Sequence, residues 1–141
     1  MASRRKGRIL AFQSLYAWEV KRGTSGDVLD VSWLEQEKQD ALGQETADFS
    51  RLLALGTVEN IKAIDGMIRS HLQRWDFSRI KRVDLAVLRM SVYTLMYQPE
   101  IHPAIVIQEA IEICNEFGTD ESYRFVNGML DGIRKTLQEK G

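Results

Sequence analysis

Four cations crowd the start of the chain, Arg4, Arg5, Lys6 and Arg8, and no acidic residue appears before Glu19. From Glu19 to Ser50 the sign reverses, to eight acids against three bases. An unopposed run of guanidinium and ammonium groups can neutralise a phosphate backbone, and asymmetry of this kind marks either a polyanion site or a solvated basic tail. Single-stranded RNA is held by such cations along its backbone and by planar groups stacked on splayed bases. Net charge over the 141 residues is only −1, so the distribution carries the signal and the total does not.

The residues that do catalysis are not gathered in this way. His71, His102 and Cys114 form no recognisable metal-ligand spacing. No phosphate-binding glycine loop or dinucleotide fingerprint is present, so neither a cofactor nor a metal is expected. Glu109 and Glu112 lie about one turn apart on a helix, but they read as ion-pair partners for Arg89. The expectation is a protein that is not an enzyme, with no catalytic residues. A single cysteine excludes an intrachain disulfide and suggests a reducing, cytoplasmic compartment. Neither a signal peptide nor a membrane-spanning run is visible.

The elements that must position these groups read as helices throughout. Val83 to Tyr97 is apolar almost all round, which places it in the middle of a globule. It carries one charge in its interior, Arg89, and a buried unpaired guanidinium is very costly. Arg89 is therefore expected to pair with Glu109, or with Glu112, on the next helix. That helix begins near Pro103, after a breaker at Gln98–His102, and ends near Gly118, so the centre is an αα-hairpin.

Ile9, Phe12, Gln13, Tyr16 and Val20 share one stripe of an opening helix that Gly23–Gly26 should stop, and Arg5 and Arg8 would extend it if the tail orders. Asp27 to Asp40 reads as an acidic helix or helix-plus-loop. Ala41 to Trp75 repeats its apolar residues at three and four positions, as one long amphipathic helix. Thr119–Ser122 supplies capping-type residues (Thr, Asp, Ser) for a last helix carrying Phe125, Met129, Ile133 and Leu137 on one side. Gly128 in its middle is expected to mark a close helix–helix approach. Nothing alternates with period two for long enough to be a strand. The fold class is all-α, a compact bundle of about six or seven helices in a single domain spanning residues 1–141.

Four stretches carry a resemblance. The basic run followed by Ala11–Trp18 (AFQSLYAW) looks like the opening helix of the bacterial transcription antitermination factor NusB family. Val83–Tyr93 (VDLAVLRMSVY) is similar to its buried central helix, and Ile107–Ile113 (IQEAIEI) and Phe125–Asp131 (FVNGMLD) to its two most specific motifs. Each is weak alone; four in this order and spacing, over nearly the whole chain outside Gly23–Leu42, are specific. Two departures are visible: Gln108 stands where the family usually has Asn, and Thr94 where it often has an acid.

The resemblance implies two packed helical sub-bundles. It also implies binding of the boxA element of nascent RNA together with the ribosomal protein NusE. The complex then joins the RNA polymerase elongation complex with other Nus factors to suppress termination, notably on rRNA operons. It adds Arg124 and Phe125 to Arg4, Arg5, Lys6 and Arg8 as RNA contacts, though Phe125 could equally be core. It makes Tyr16 and Asp84 candidates for the surface that meets NusE, and such an apolar surface also leaves room for a homodimer. Two other readings stand beside it: a protein-only helical adaptor, and a stand-alone relative of the RNA-binding module of rRNA cytosine methyltransferases.

Overall fold

The computed structural model describes residues 4–25, 43–72 and 76–140. Among them six α-helices form: α1 (Arg4–Ser25), α2 (Gln44–Glu59), α3 (Ile61–Ser70), α4 (Arg82–Tyr97), α5 (Pro103–Phe117) and α6 (Ser122–Lys140). A 3₁₀ turn at Phe77–Arg79 precedes α4, and no strand occurs among the described residues. The segment expected to be acidic and helical, Asp27–Asp40, lies outside the described residues, as do Arg74 and Trp75.

The all-round apolar helix is the hub. Every residue of α4 from Asp84 to Val92 is buried, and α4 packs against all five other helices. One group consists of α1, α2 and α3; the other is α5 with α6; α4 belongs to both. The α4–α5 hairpin forms as its sequence requires. His102 Nδ1 accepts a hydrogen bond from the Ala104 amide at 3.1 Å, and Pro103 takes the first turn, where its missing N–H leaves nothing unpaired. At the far end the Gly118 amide donates to the Cys114 carbonyl at 2.8 Å.

Three expectations are corrected by the coordinates. The helix expected over Ala41–Trp75 is two helices, broken at Asn60, whose backbone (φ −112°, ψ 22°) leaves the helical range. Asn60 Nδ2 donates to the Gly56 carbonyl at 2.8 Å, which offers that carbonyl a partner outside the helical ladder. The apolar stripe hides the break because α3 restarts at Ile61. Gly128 is exposed, and a methyl group built there would meet nothing within 4 Å. The close helix–helix approaches fall elsewhere, at Gly7 against Phe49 and at Gly56 against the ring of Tyr93.

The third correction is the partner of Arg89. Its side chain is buried, and it pairs with neither Glu109 nor Glu112. Nε and Nη2 donate to the two carboxylate oxygens of Asp65 on α3, each at 2.9 Å, and Nη1 donates to Glu19 Oε1 on α1 at 2.6 Å. The guanidinium carbon lies 5.6 Å from the ring of Trp18 and 5.7 Å from that of Phe77. Arg89 leaves α4 on the side that meets α1 and α3, so α5 is out of its reach; a carboxylate in the plane of the fork satisfies two donors at once. Burial opposes the charge, but hydrogen bonds and attraction from Asp65, then Glu19, outweigh it and hold the Arg89 pKa above its ordinary value.

Candidate nucleic-acid interface

The basic run is helix from its first described residue, because α1 begins at Arg4. Arg4, Arg5 and Lys6 are exposed, and Arg8 is half-buried. These cations sit at the end of a helix where the backbone dipole is already positive, and no acid occupies the first turn to offset them. For stability alone this is the wrong end for four cations. For an anion it is the right one, since both the side chains and the positive end of the helix dipole favour negative charge.

Neighbouring helices supply the rest of the setting. Arg8 lies 3.8 Å from Glu109 of α5, with only 12% of its side chain exposed, and Arg5 lies 3.7 Å from Glu116 with 56% exposed. Burial lowers the Arg8 pKa, and Glu109 opposes that shift. Arg8 is thus part of the packing between α1 and α5 and not of a solvated tail. Glu109, expected to serve Arg89, serves Arg8 instead.

Two further candidates divide. Arg124, in the first turn of α6, is exposed; its Nε donates to the Tyr123 hydroxyl at 3.4 Å and its guanidinium carbon lies 5.9 Å from that ring. Phe125 is half-buried and packs against the core. The turn ahead of them is tied down: Ser122 Oγ accepts from the Thr119 amide at 3.0 Å, and Lys81 Nζ donates to Thr119 Oγ1 at 3.2 Å. The chain reaches this turn from Phe117, whose ring centroid is 5.3 Å from that of Phe12 on α1.

A second surface lies along α1. Tyr16 is 38% exposed and lines an apolar pocket of about 190 Å³ with Phe12, Gln13, Val83 and Phe117. Asp84 does not share that exposure. It is buried in the first turn of α4, where the helix dipole favours a carboxylate, and its Oδ1 accepts no hydrogen bond among the described residues. Nearby Cys114 is buried, and burial followed by the charge of Asp84 pushes its thiol up to about 12. Of the departures from the family pattern, Gln108 is exposed on α5, while Thr94 donates to the Met90 carbonyl inside α4 at 3.3 Å and lines a small cavity with Arg8 and Glu109.

Some of the setting was missed by sequence reasoning. Phe49 of α2 read only as an apolar stripe residue, yet the guanidinium carbons of Arg4 and Arg8 lie 4.4 Å and 5.6 Å from its ring centroid. Glu116 and Glu19 carried no signal. No metal-ligand cluster forms among the described residues, and none of their helices is long and apolar enough to cross a membrane.

Comparison with known proteins agrees with the fold. The NusB family model matches residues 5–135. Transcription antitermination protein NusB of Treponema pallidum is 47% identical over 133 residues, covering 94% of this chain and 93% of that protein. The solved T. maritima NusB superposes with a TM-score of 0.84 at 33% identity, covering 96% of this chain and 93% of that one. A crystal structure of antitermination factors NusB and NusE in complex with double-stranded RNA is also similar, with a TM-score of 0.81, 26% identity and coverage of 94% and 96%.

Proposed function

Because the chain belongs to the NusB family, we propose that it is a non-enzymatic transcription antitermination factor, a single domain that binds boxA-type RNA jointly with ribosomal protein NusE. The observation that carries this reading is the cluster of exposed cations at the start of α1, placed where the helix dipole disfavours them unless an anion arrives. Arg4, Arg5 and Lys6 meet the phosphates, Arg8 supports them from a more buried position, and Arg124 extends the strand's path. Phe125 acts through the core, holding the start of α6.

NusE covers the apolar surface around Tyr16. Asp84, being buried, supports that surface from beneath, so Tyr16 and not Asp84 is the position at which to probe it. The ternary complex then joins the RNA polymerase elongation complex with other Nus factors, in the cytoplasm and notably on rRNA operons. A homodimer through the Tyr16 surface would compete with NusE for it.

The test is an RNA titration by fluorescence anisotropy across a salt series, using Arg4→Ala/Arg5→Ala/Lys6→Ala beside the wild type. Because a solved relative holds double-stranded RNA, single-stranded and double-stranded boxA probes are both titrated. The variant should fold normally and lose about 2 units of log–log salt slope on the single strand, at roughly 0.7 per phosphate contact. An unchanged slope would remove the arm from the interface.

A further inference from the structure

The basic arm is held on a platform that its own sequence does not contain. Phe49, on α2, is half-buried, and the guanidinium carbon of Arg4 lies 4.4 Å from its ring centroid and that of Arg8 5.6 Å. Between the two arginines in sequence stands Gly7, buried against that ring. A Cβ added at Gly7 would come within 2.6 Å of Phe49 Cδ2 and 3.1 Å of Cε2. The absence of a side chain at position 7 is what lets the α1 backbone lie on the ring. Glycine weakens a helix interior, and here it stands amid the residues that α1 needs for its cations.

Arg4 and Arg8 are four residues apart, so on an isolated helix they would face the same way and repel; Arg4 does lower the pKa of Arg8. An aromatic face carries negative quadrupolar charge and attracts guanidinium groups. One ring therefore draws the exposed Arg4 in beside Arg8, which is already packed against α5. Side chains already ordered before binding give up less conformational freedom when a strand docks.

We propose that Phe49 is a positioning residue for RNA binding: with Gly7 clearing its face, its ring holds Arg4 and Arg8 as a preformed pair for the phosphate backbone. This rests on the reading of the α1 arm as the RNA surface, and it adds α2 to an interface otherwise confined to α1 and the start of α6. Phe49 itself touches no RNA in this arrangement.

The experiment measures single-stranded RNA affinity and its salt slope, with circular dichroism as the check on folding, for Phe49→Leu, Phe49→Trp, Gly7→Ala and Arg4→Ala/Arg5→Ala/Lys6→Ala. Phe49→Leu keeps apolar bulk but removes the ring's charge distribution, and should weaken RNA binding roughly 5-fold while flattening the slope. Phe49→Trp retains an aromatic face and should bind within about 2-fold of wild type. Gly7→Ala raises helix propensity yet displaces the ring, so it should reproduce the binding loss in a protein of undiminished helix content, and it decides the matter should Phe49→Leu fail to fold. If the triple variant loses affinity while Phe49→Leu and Gly7→Ala bind as wild type, the arm stands and the role of Phe49 is refuted. If the triple variant also binds as wild type, the arm reading and this inference fall together.

Discussion

Arg89 and Arg8 are both arginines packed between helices and both face carboxylates, yet they are built for different ends. Arg89 has all three kinds of guanidinium nitrogen engaged, at 2.6–2.9 Å, by Asp65 and Glu19. Arg8 faces one carboxylate at 3.8 Å, with its guanidinium beyond ordinary hydrogen-bond reach of it. Glu109 Oε2 is buried and accepts no hydrogen bond among the described residues. The Arg89 cluster ties α4 to α1 and α3 and is buried, with each guanidinium nitrogen already donating to a carboxylate. The Arg8 pair is a loose contact at the edge of an exposed basic surface, and its charge remains available. What separates the structural arginine from the one proposed to bind RNA is how completely its nitrogens already face carboxylates, and burial alone would have grouped the two.

The comparison breaks most visibly at Arg89. Arg89→Met strands Asp65 among buried groups and should cost about 3–5 kcal/mol, read from the urea midpoint. Adding Asp65→Leu should recover part of that loss, whereas adding Glu109→Leu should not. Recovery with Glu109→Leu instead would mean the cluster is misassigned.

Effects at the Arg8 pair should be smaller and of a different kind. Glu109→Gln removes the one carboxylate facing Arg8, so stability should change by no more than about 1 kcal/mol. RNA affinity should rise by roughly 2- to 3-fold, because a cation is released to the phosphates. A loss of several kcal/mol with unchanged RNA binding would make Arg8 a second structural arginine.

The smallest effect is expected at the buried Cys114 of α5. Its folded pKa, about 12, lies above the ordinary thiol value of about 8.5. A raised pKa favours the neutral form in the folded state, so its contribution is fully present below about pH 8.5 and is lost as pH rises toward 12. Cys114→Ala should therefore show a shallower decline in stability across that alkaline window. Native protein at pH 7 should also resist thiol reagents that label the urea-unfolded chain readily; rapid native labelling would show that the thiol is not buried.

Much of this was legible in the sequence, and the failures share a cause. The buried α4, the hairpin with Pro103 at its turn and the absence of strands among the described residues all follow from local pattern, which a single chain displays fully. The partner of Arg89 depends on rotation of α4 relative to its neighbours, which pattern does not encode. One signal was present and unread: Asp65 sits in the apolar stripe of α3, four residues after Ile61 and three before Ile68. An acid within a buried stripe needs a cation as much as Arg89 needs an acid. The burial of Asp84, expected on the partner surface, was hidden for a related reason, since a carboxylate at the start of a helix is favoured whether or not it reaches solvent. Phe49 was invisible because an aromatic in a stripe looks the same whether it fills a core or carries two arginines.

The most direct test of the account is the affinity of labelled boxA-type RNA for this chain, measured with and without saturating NusE. Phosphate contacts position a strand but carry no sequence information directly, so the arm alone gives weak and poorly selective binding. A partner holding adjacent nucleotides should tighten it through linkage. By reciprocity RNA should tighten NusE binding by the same factor. Tyr16→Asp, which places a charge on the apolar surface, should abolish that gain while leaving RNA binding to this chain alone unchanged. The expected result is a clear NusE-dependent increase in RNA affinity for the wild type and none for Tyr16→Asp. Equal RNA affinity with and without NusE in the wild type would contradict joint recognition.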